Sequence, residues 1–226
     1  QFISGLLLAF DLMDKPCTLH ITEKLESVPY IDMTRQVLEL FPNHHTPGIL
    51  NVEGDWSNAA FFLAANVFGS DVTVDNLSME SRQGDRAAAI WLPKLTQHCT
   101  ISAADIPDLV PILAVVAAAN KGAVFTDIGR LRLKESDRVS SVISMLEALG
   151  GKAEATENTL TVYGTGLTGG TVNSFNDHRI AMSAAIAATV CKEDVTILGA
   201  ECVSKSYPNF FVEYRRLGGN YEQYLR

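Results

Sequence analysis

The chain has 226 residues, 47% of them hydrophobic and 19% charged, with a formal net charge of −8. That length and composition suit a soluble globular fold of one large domain or two small ones. The negative balance argues against a general nucleic-acid binder, which carries a basic surface, and no apolar run reaches the length of a membrane span.

Taken in chain order, the first ten residues, Gln1 to Phe10, read as the middle of an apolar helix, with no initiator Met and no signal peptide. We therefore expect further chain to precede them. Five strong helices follow. One runs from Ala59 to Phe68 after Asp55, and one from Pro107-Asp108 to Ala119. A third follows Ser136-Asp137, with Val139, Val142, Ile143, Leu146 and Leu149 at helical spacing. A fourth runs from Asn176-Asp177 to about Val190, and the last covers Tyr207 to Leu217. Each starts at a residue suited to capping or to a first turn, and most end near Gly. Short strands are expected at Val72–Val74, Val124–Thr126 and Val195–Ile197. The result is a threefold repeat of helix, strand, loop and helix, an α/β (α+β) architecture around one core.

The second unit continues into a hairpin, with alternation in Lys152–Glu157 and Thr159–Tyr163 about Asn158. The first unit has no room for its counterpart, and a similar shortage lies between Phe41 and Val52. Either the hairpins are deleted or residues are missing from the chain as given. We expect the second, because a repeat without its hairpin would expose a sheet edge. The four cysteines, Cys17, Cys99, Cys191 and Cys202, form no CxxC and no zinc spacing. They read as reduced thiols of a cytoplasmic protein.

The basic residues sit in a pattern. Lys134 and Arg138 flank the start of the third helix, Arg179 lies in the first turn of the fourth, and Lys205 lies just before the last. A helix N-terminus is the positive end of the dipole, where cations are disfavoured and anions welcome. Any one of these cations could be a solvated surface residue. Four at equivalent points of repeated units make sense with an anionic ligand among them. Asp137 and Asp177 read as helix caps, and Asp108 as either a cap or a functional group. Glu135 has less structural excuse, because it lies between cations and precedes the cap. A carboxylate beside an anion site can serve as general acid or base. His44 and His45 read as loop residues, His178 as structural, Trp56 and Trp91 as packing residues, and Gly84-Asp85-Arg86 as a structural loop.

These residues resemble a known family. Lys134-Glu135-Ser136-Asp137-Arg138 resembles the KESDR motif of the 5-enolpyruvylshikimate-3-phosphate synthase family, and Asn176-Asp177-His178-Arg179-Ile180-Ala181-Met182 resembles its NDHRxAM motif. Val52-Glu53-Gly54-Asp55, Ile106-Pro107-Asp108 and Lys205-Ser206-Tyr207-Pro208 look like three further segments in the family's order. Pro29-Tyr30-Ile31-Asp32 looks like a substrate-binding segment near the end of the family's other domain. The likeness covers nearly the whole chain.

The resemblance implies the enolpyruvyl transferase fold, two domains of three βαβαββ units with the site between them. Residues 1–51 would be the last portion of the N-terminal domain and 52–226 the C-terminal domain. The rest of the N-terminal domain would be missing here. Arg138, Arg179 and Lys205 would grip phosphoenolpyruvate, and Gln1 would contact both substrates. Ser27, Tyr30, Asp108 and Lys134 would hold shikimate 3-phosphate. Asp108 would take the proton of the attacking 5-hydroxyl, Glu135 would protonate the methylene carbon, and Lys205 would complete the catalytic set. No metal and no organic cofactor are implied. Two other readings stay open: a UDP-N-acetylglucosamine enolpyruvyl transferase, which shares the fold and the donor, and a non-catalytic anion-binding half.

Overall fold

In the computed structural model, the described residues are 1–13, 16–22, 25, 27–42, 45 and 48–224; His44 lies outside them. The chain opens with two helices, α1 (Phe2–Asp11) and α2 (Val28–Leu40), packed on each other. The apolar run at the start is helical as expected, yet none of the α1 residues is buried. α2 carries Pro29 in its first turn, where the missing N–H costs nothing and the fixed φ suits a helix start. It meets the remainder of the chain at polar points. The Val28 N–H donates to Asp105 Oδ1 at 3.2 Å, and the Tyr30 hydroxyl donates to Asp108 Oδ2 at 3.2 Å.

α3 (Trp56–Val67) starts where Asp55 Oδ1 accepts the Ser57 and Asn58 N–H groups at 2.8 and 3.3 Å. The expected strand at Val72–Val74 does not form. A strand needs a backbone partner, and here the Asn66 side-chain amide takes both backbone groups of Val72, at 2.8 Å each. A single bond from the Gly54 N–H to the Asn76 carbonyl, at 2.7 Å, is the pairing this unit keeps. α4 (Ala88–Lys94) then leads directly to the first strand, with no hairpin between.

The next stretch is one complete βαβαββ unit: β1 (Cys99–Ser102), α5 (Val110–Ala119), β2 (Ala123–Thr126), α6 (Arg138–Ala148), β3 (Lys152–Ala155) and β4 (Thr159–Tyr163). The sheet order is β1-β2-β4-β3. β1 and β2 are parallel, Cys99 beside Ala123, and α5 makes the crossover that a parallel pair requires. β2 with β4 and β4 with β3 are antiparallel, so the expected hairpin is present. The third unit supplies β5 (Gly170–Asn173), α7 (His178–Ala187), β6 (Val195–Leu198) and α8 (Phe210–Arg216), with β5 and β6 parallel. The threefold repeat thus holds for the helices and for the second and third strands; β1 and β5 are additional.

α5 is apolar all round and buried from Val110 through Ala118, as expected of a helix surrounded by protein. α7 packs against it, and α3 packs against both. Phe210 of α8 seals the bundle, its ring 5.4 Å from Phe62 and 6.4 Å from Phe61. This packing sets the N-termini of α5, α6 and α7 side by side. Among the described residues no helix is long and apolar enough to cross a membrane.

Gly122 makes the turn from α5 into β2 at φ +79°, and a Cβ there would lie 2.5 Å from the Val162 carbonyl oxygen of β4. Gly69 has φ +98° but open space around it. The left-handed backbone alone costs a non-glycine residue about 1–3 kcal/mol. Urea unfolding should therefore show Gly122→Ala losing more stability than Gly69→Ala. Equal losses would mean that the α5–β2 turn does not depend on this close approach.

Candidate active site

Arg138 opens α6 with its side chain only 1% exposed. A guanidinium so buried must have its charge matched and its donors satisfied. Nε donates to Asp177 Oδ2 at 2.8 Å, Nη1 to Asp108 Oδ1 at 2.5 Å, and Nη2 to Glu135 Oε2 at 2.6 Å. The three carboxylates come from the starts of three helices. Burial would lower the Arg138 pKa, but Asp177, Asp108 and Glu135 outweigh it and raise it. The guanidinium is cationic throughout.

Asp177 is fully buried. It caps α7 as expected, accepting the Arg179 N–H at 2.9 Å, and also accepts the Ser136 hydroxyl at 3.0 Å. Burial would raise its carboxyl, but the bonds from Arg138 hold it below the usual carboxylate range. Asp137 caps α6 through Val139 and Ser140, also as expected.

Asp108 is no cap: the residue at the N-cap of α5 is Leu109. Its carboxylate instead gathers cations. Lys134 Nζ lies 3.1 Å from Oδ1, Arg138 Nη1 2.5 Å from the same oxygen, and Arg179 Nη2 3.8 Å from Oδ2. Burial would push the Asp108 carboxyl up; Arg138, Arg179 and Lys134 together hold it well below the usual range. Tyr30 is pushed the other way, mainly by burial and then by the Asp108 and Asp85 charges. It stays a neutral hydroxyl that donates to Asp108.

Arg179 is nearly buried and lies over the Phe61 ring at 5.9 Å. Lys205 stands to one side, donating to the Asn176 carbonyl at 2.6 Å. Phe175 and Asn176 are consecutive left-handed residues, φ 52° and 58°, in the turn that presents that carbonyl. Glu135 is partly exposed at the edge, 41% for its side chain. The structure thus brings together Asp108, Lys134, Glu135, Arg138, Arg179 and Tyr30, with Lys205 alongside. It does not gather Gln1, and it holds Ser27 only at the margin. Gln1 is exposed, and the Ser27 carbonyl accepts the Tyr30 N–H at 3.2 Å. Among the described residues Gln1 has no hydrogen bond or ion pair to the cluster, and Ser27 reaches it only through this backbone bond. The second role of Asp177, as anchor of Arg138, was hidden behind its capping position. Ser136 and the Asn176 carbonyl carried no sequence signal beyond their place inside motifs.

The arrangement suits a ligand with several negative charges. Lys134, Arg138 and Arg179 converge on the Asp108 carboxylate with Lys205 at the exposed edge, and their partial burial strengthens the charge of each.

The family profile of EPSP synthase (3-phosphoshikimate 1-carboxyvinyltransferase) matches residues 41–105 and 97–213. This chain belongs to that family. All the clustered residues except Tyr30 fall in the matched segments. The EPSP synthase family also supplies the similar curated proteins. The 3-phosphoshikimate 1-carboxyvinyltransferase of Clostridium acetobutylicum is 38% identical over 257 residues, covering 99% of this chain and 60% of that protein. The one from Clostridium botulinum (strain Alaska E43) is 35% identical over 261 residues, with the same coverage. The chain therefore spans about 60% of the length of these relatives. Among solved structures, EPSP synthase from Acinetobacter baumannii superposes with a TM-score of 0.66 at 23% identity, over 76% of this chain and 48% of that one. That likeness shows the enolpyruvyl transferase fold.

Removing Asp177 leaves the buried Nε of Arg138 unpaired and takes away its one fully buried counter-charge; breaking a buried pair in this way costs about 3–5 kcal/mol. Urea unfolding of Asp177→Ala at pH 7 should show a loss of that order. Because the folded pKa of Asp177 is depressed, its contribution is complete above the unfolded value near pH 4 and fades as pH falls below it. The gap between the variant and the parent should narrow in acid. A gap that is small at pH 7, or constant with pH, would contradict the assignment.

Proposed function

We propose that this chain is the C-terminal part of a 3-phosphoshikimate 1-carboxyvinyltransferase, which moves the enolpyruvyl group of phosphoenolpyruvate to the 5-hydroxyl of shikimate 3-phosphate and releases phosphate. The observation that carries the reading is the carboxylate of Asp108 shared among Lys134, Arg138 and Arg179, inside the segments matched by the family profile. Residues 1–51 form the last portion of the N-terminal domain and 52–226 the C-terminal domain; the separate α1–α2 pair and its exposed apolar face support this division. The remaining 40% of the relatives' length supplies the other substrate contacts. We place the protein in the cytoplasm, the reading its scattered cysteines suggest.

The roles proposed are those the family resemblance implies, and the clustering of Asp108, Lys134, Arg138, Arg179 and Tyr30 supports them. Arg138, Arg179 and Lys205 hold the phosphoenolpyruvate anion, while Lys134, Tyr30, Ser27 and Asp108 hold shikimate 3-phosphate and Gln1 lies against both. In the free site Asp108 is too well stabilised by cations to accept a proton readily. Substrate phosphate and carboxylate groups engage those cations and relieve it. Asp108 then takes the proton as the 5-hydroxyl oxygen bonds to C2 of phosphoenolpyruvate, and Glu135 gives a proton to the methylene carbon. The tetrahedral intermediate loses phosphate and one methyl proton, restoring the double bond as an enol ether. Each proton transfer contributes roughly 10²–10⁴-fold.

The test is phosphate release from the two substrates by the full-length protein. Asp108→Asn and Glu135→Gln should each lower kcat by about 10²–10⁴-fold. The 226-residue chain alone should show no turnover, and adding the missing part should restore it. Near-parental rates in both variants would overturn the reading.

A further inference from the structure

Arg138 and Arg179 are held very differently. Arg138 is locked by three carboxylates. Arg179 has one loose ion pair, 3.8 Å to Asp108, and its Nε and Nη1 are buried without a hydrogen-bond partner. A second buried group nearby is also incomplete. Asp85 lies in the single turn Gly84–Ala87 and is 3% exposed. Its Oδ2 accepts from the Ser57 hydroxyl at the start of α3, while Oδ1 is buried and unpartnered. Leaving a buried charged acceptor and buried charged donors unpaired is costly. The turn is fixed in place: a Cβ on Gly84 would lie 2.6 Å from the Asp105 carbonyl oxygen and 3.0 Å from the Pro29 ring.

The two groups lie along one face of α3: Ser57, which donates to Asp85, is one turn before Phe61, over whose ring Arg179 lies. The charges of Asp108, Arg179 and Asp55 act on Asp85, and Asp85 acts on Tyr30. These, with the Ser57 hydroxyl, are the groups that face it from α2, the start of α3, the approach to α5, and α7.

We propose that Asp85 is a positioning residue for Arg179, anchoring its Nε edge, directly or through one buried water, when the substrate anion draws the other edge away from Asp108. This rests on reading the cluster as the donor-anion site. The anchor works only while Asp85 is ionised. Burial first, and then the Asp108 charge, push its carboxyl up to about 6. The hold on Arg179 is therefore complete above about pH 6 and is lost as pH falls through that value.

The experiment uses the full-length protein labelled with ¹⁵N-arginine. The Arg179 Nε–H signal is identified by its loss in Arg179→Lys. It should shift with pH in the parent, with a midpoint near 6, and should not titrate there in Asp85→Asn. The same variant should raise KM for phosphoenolpyruvate about tenfold or more at pH 7.5, the loss expected for a bond between charged groups, with kcat within about threefold. Ser57→Ala, which removes a hydrogen bond that favours the ionised Asp85 but keeps the carboxyl, should lie between. An Arg179 signal indifferent to Asp85→Asn, or a shifted signal with unchanged KM, overturns the proposal. A parent protein without turnover would defeat the proposed function instead, while the NMR signal would still decide whether Asp85 and Arg179 pair.

Discussion

A guanidinium buried to 1% exposure cannot be tolerated without its carboxylates. In this chain they arrive from the starts of three helices. Asp108 precedes α5, Glu135 precedes α6, and Asp177 caps α7. Arg138 is thus the point at which the second and third repeat units are tied together at one end. Burial of α5 against α7 and α3 brings those ends close, and the ion network fixes how they meet. Fold and site rest on one set of contacts.

The same network explains why cations can stand at helix N-termini. The dipoles there repel positive charge, and Asp177 and Asp137 offset that repulsion by capping α7 and α6. What remains is a surplus of positive charge aimed at a shared space. Asp108 occupies it in the free protein, a built-in anion that holds Lys134, Arg138 and Arg179 in position. On the proposed function, an incoming phosphate or carboxylate would compete with Asp108 for those cations. The stronger that competition, the better a base Asp108 would become, which would couple binding to the proposed proton transfer through charge.

Much of this was legible in the sequence, because caps and apolar periods are local signals. Asp55, Asp137 and Asp177 mark real helix starts, and the alternation about Asn158 marks a real hairpin. The run of apolar residues before Lys121-Gly122 is the buried α5. Failures came where the outcome depended on distant partners. Val72–Val74 has strand composition, but Asn66 takes its backbone groups and no strand lies beside it. β1 and β5 are four residues each, and they are strands only because β2 and β6 pair with them. Asp108 sits where a cap would sit, and only the tertiary fold reveals that it faces cations instead. Asp85 looked like part of a loop because its significance lies in a burial that one-dimensional spacing does not express. Motif resemblance went further than spacing in naming the cluster. It also pointed to Gln1, which lies outside the cluster, and to Ser27, which meets it only through the Tyr30 backbone.

The central claim is that Asp108 is a resident counter-ion displaced in effect by substrate. Its carboxyl ¹³C signal, followed against pH in the full-length protein with and without saturating phosphoenolpyruvate, tests this directly. The account predicts a titration well below the ordinary carboxylate range in the free protein and a clear upward move when the anion is bound. A midpoint in the ordinary range without ligand, or one that the anion leaves unmoved, would contradict it.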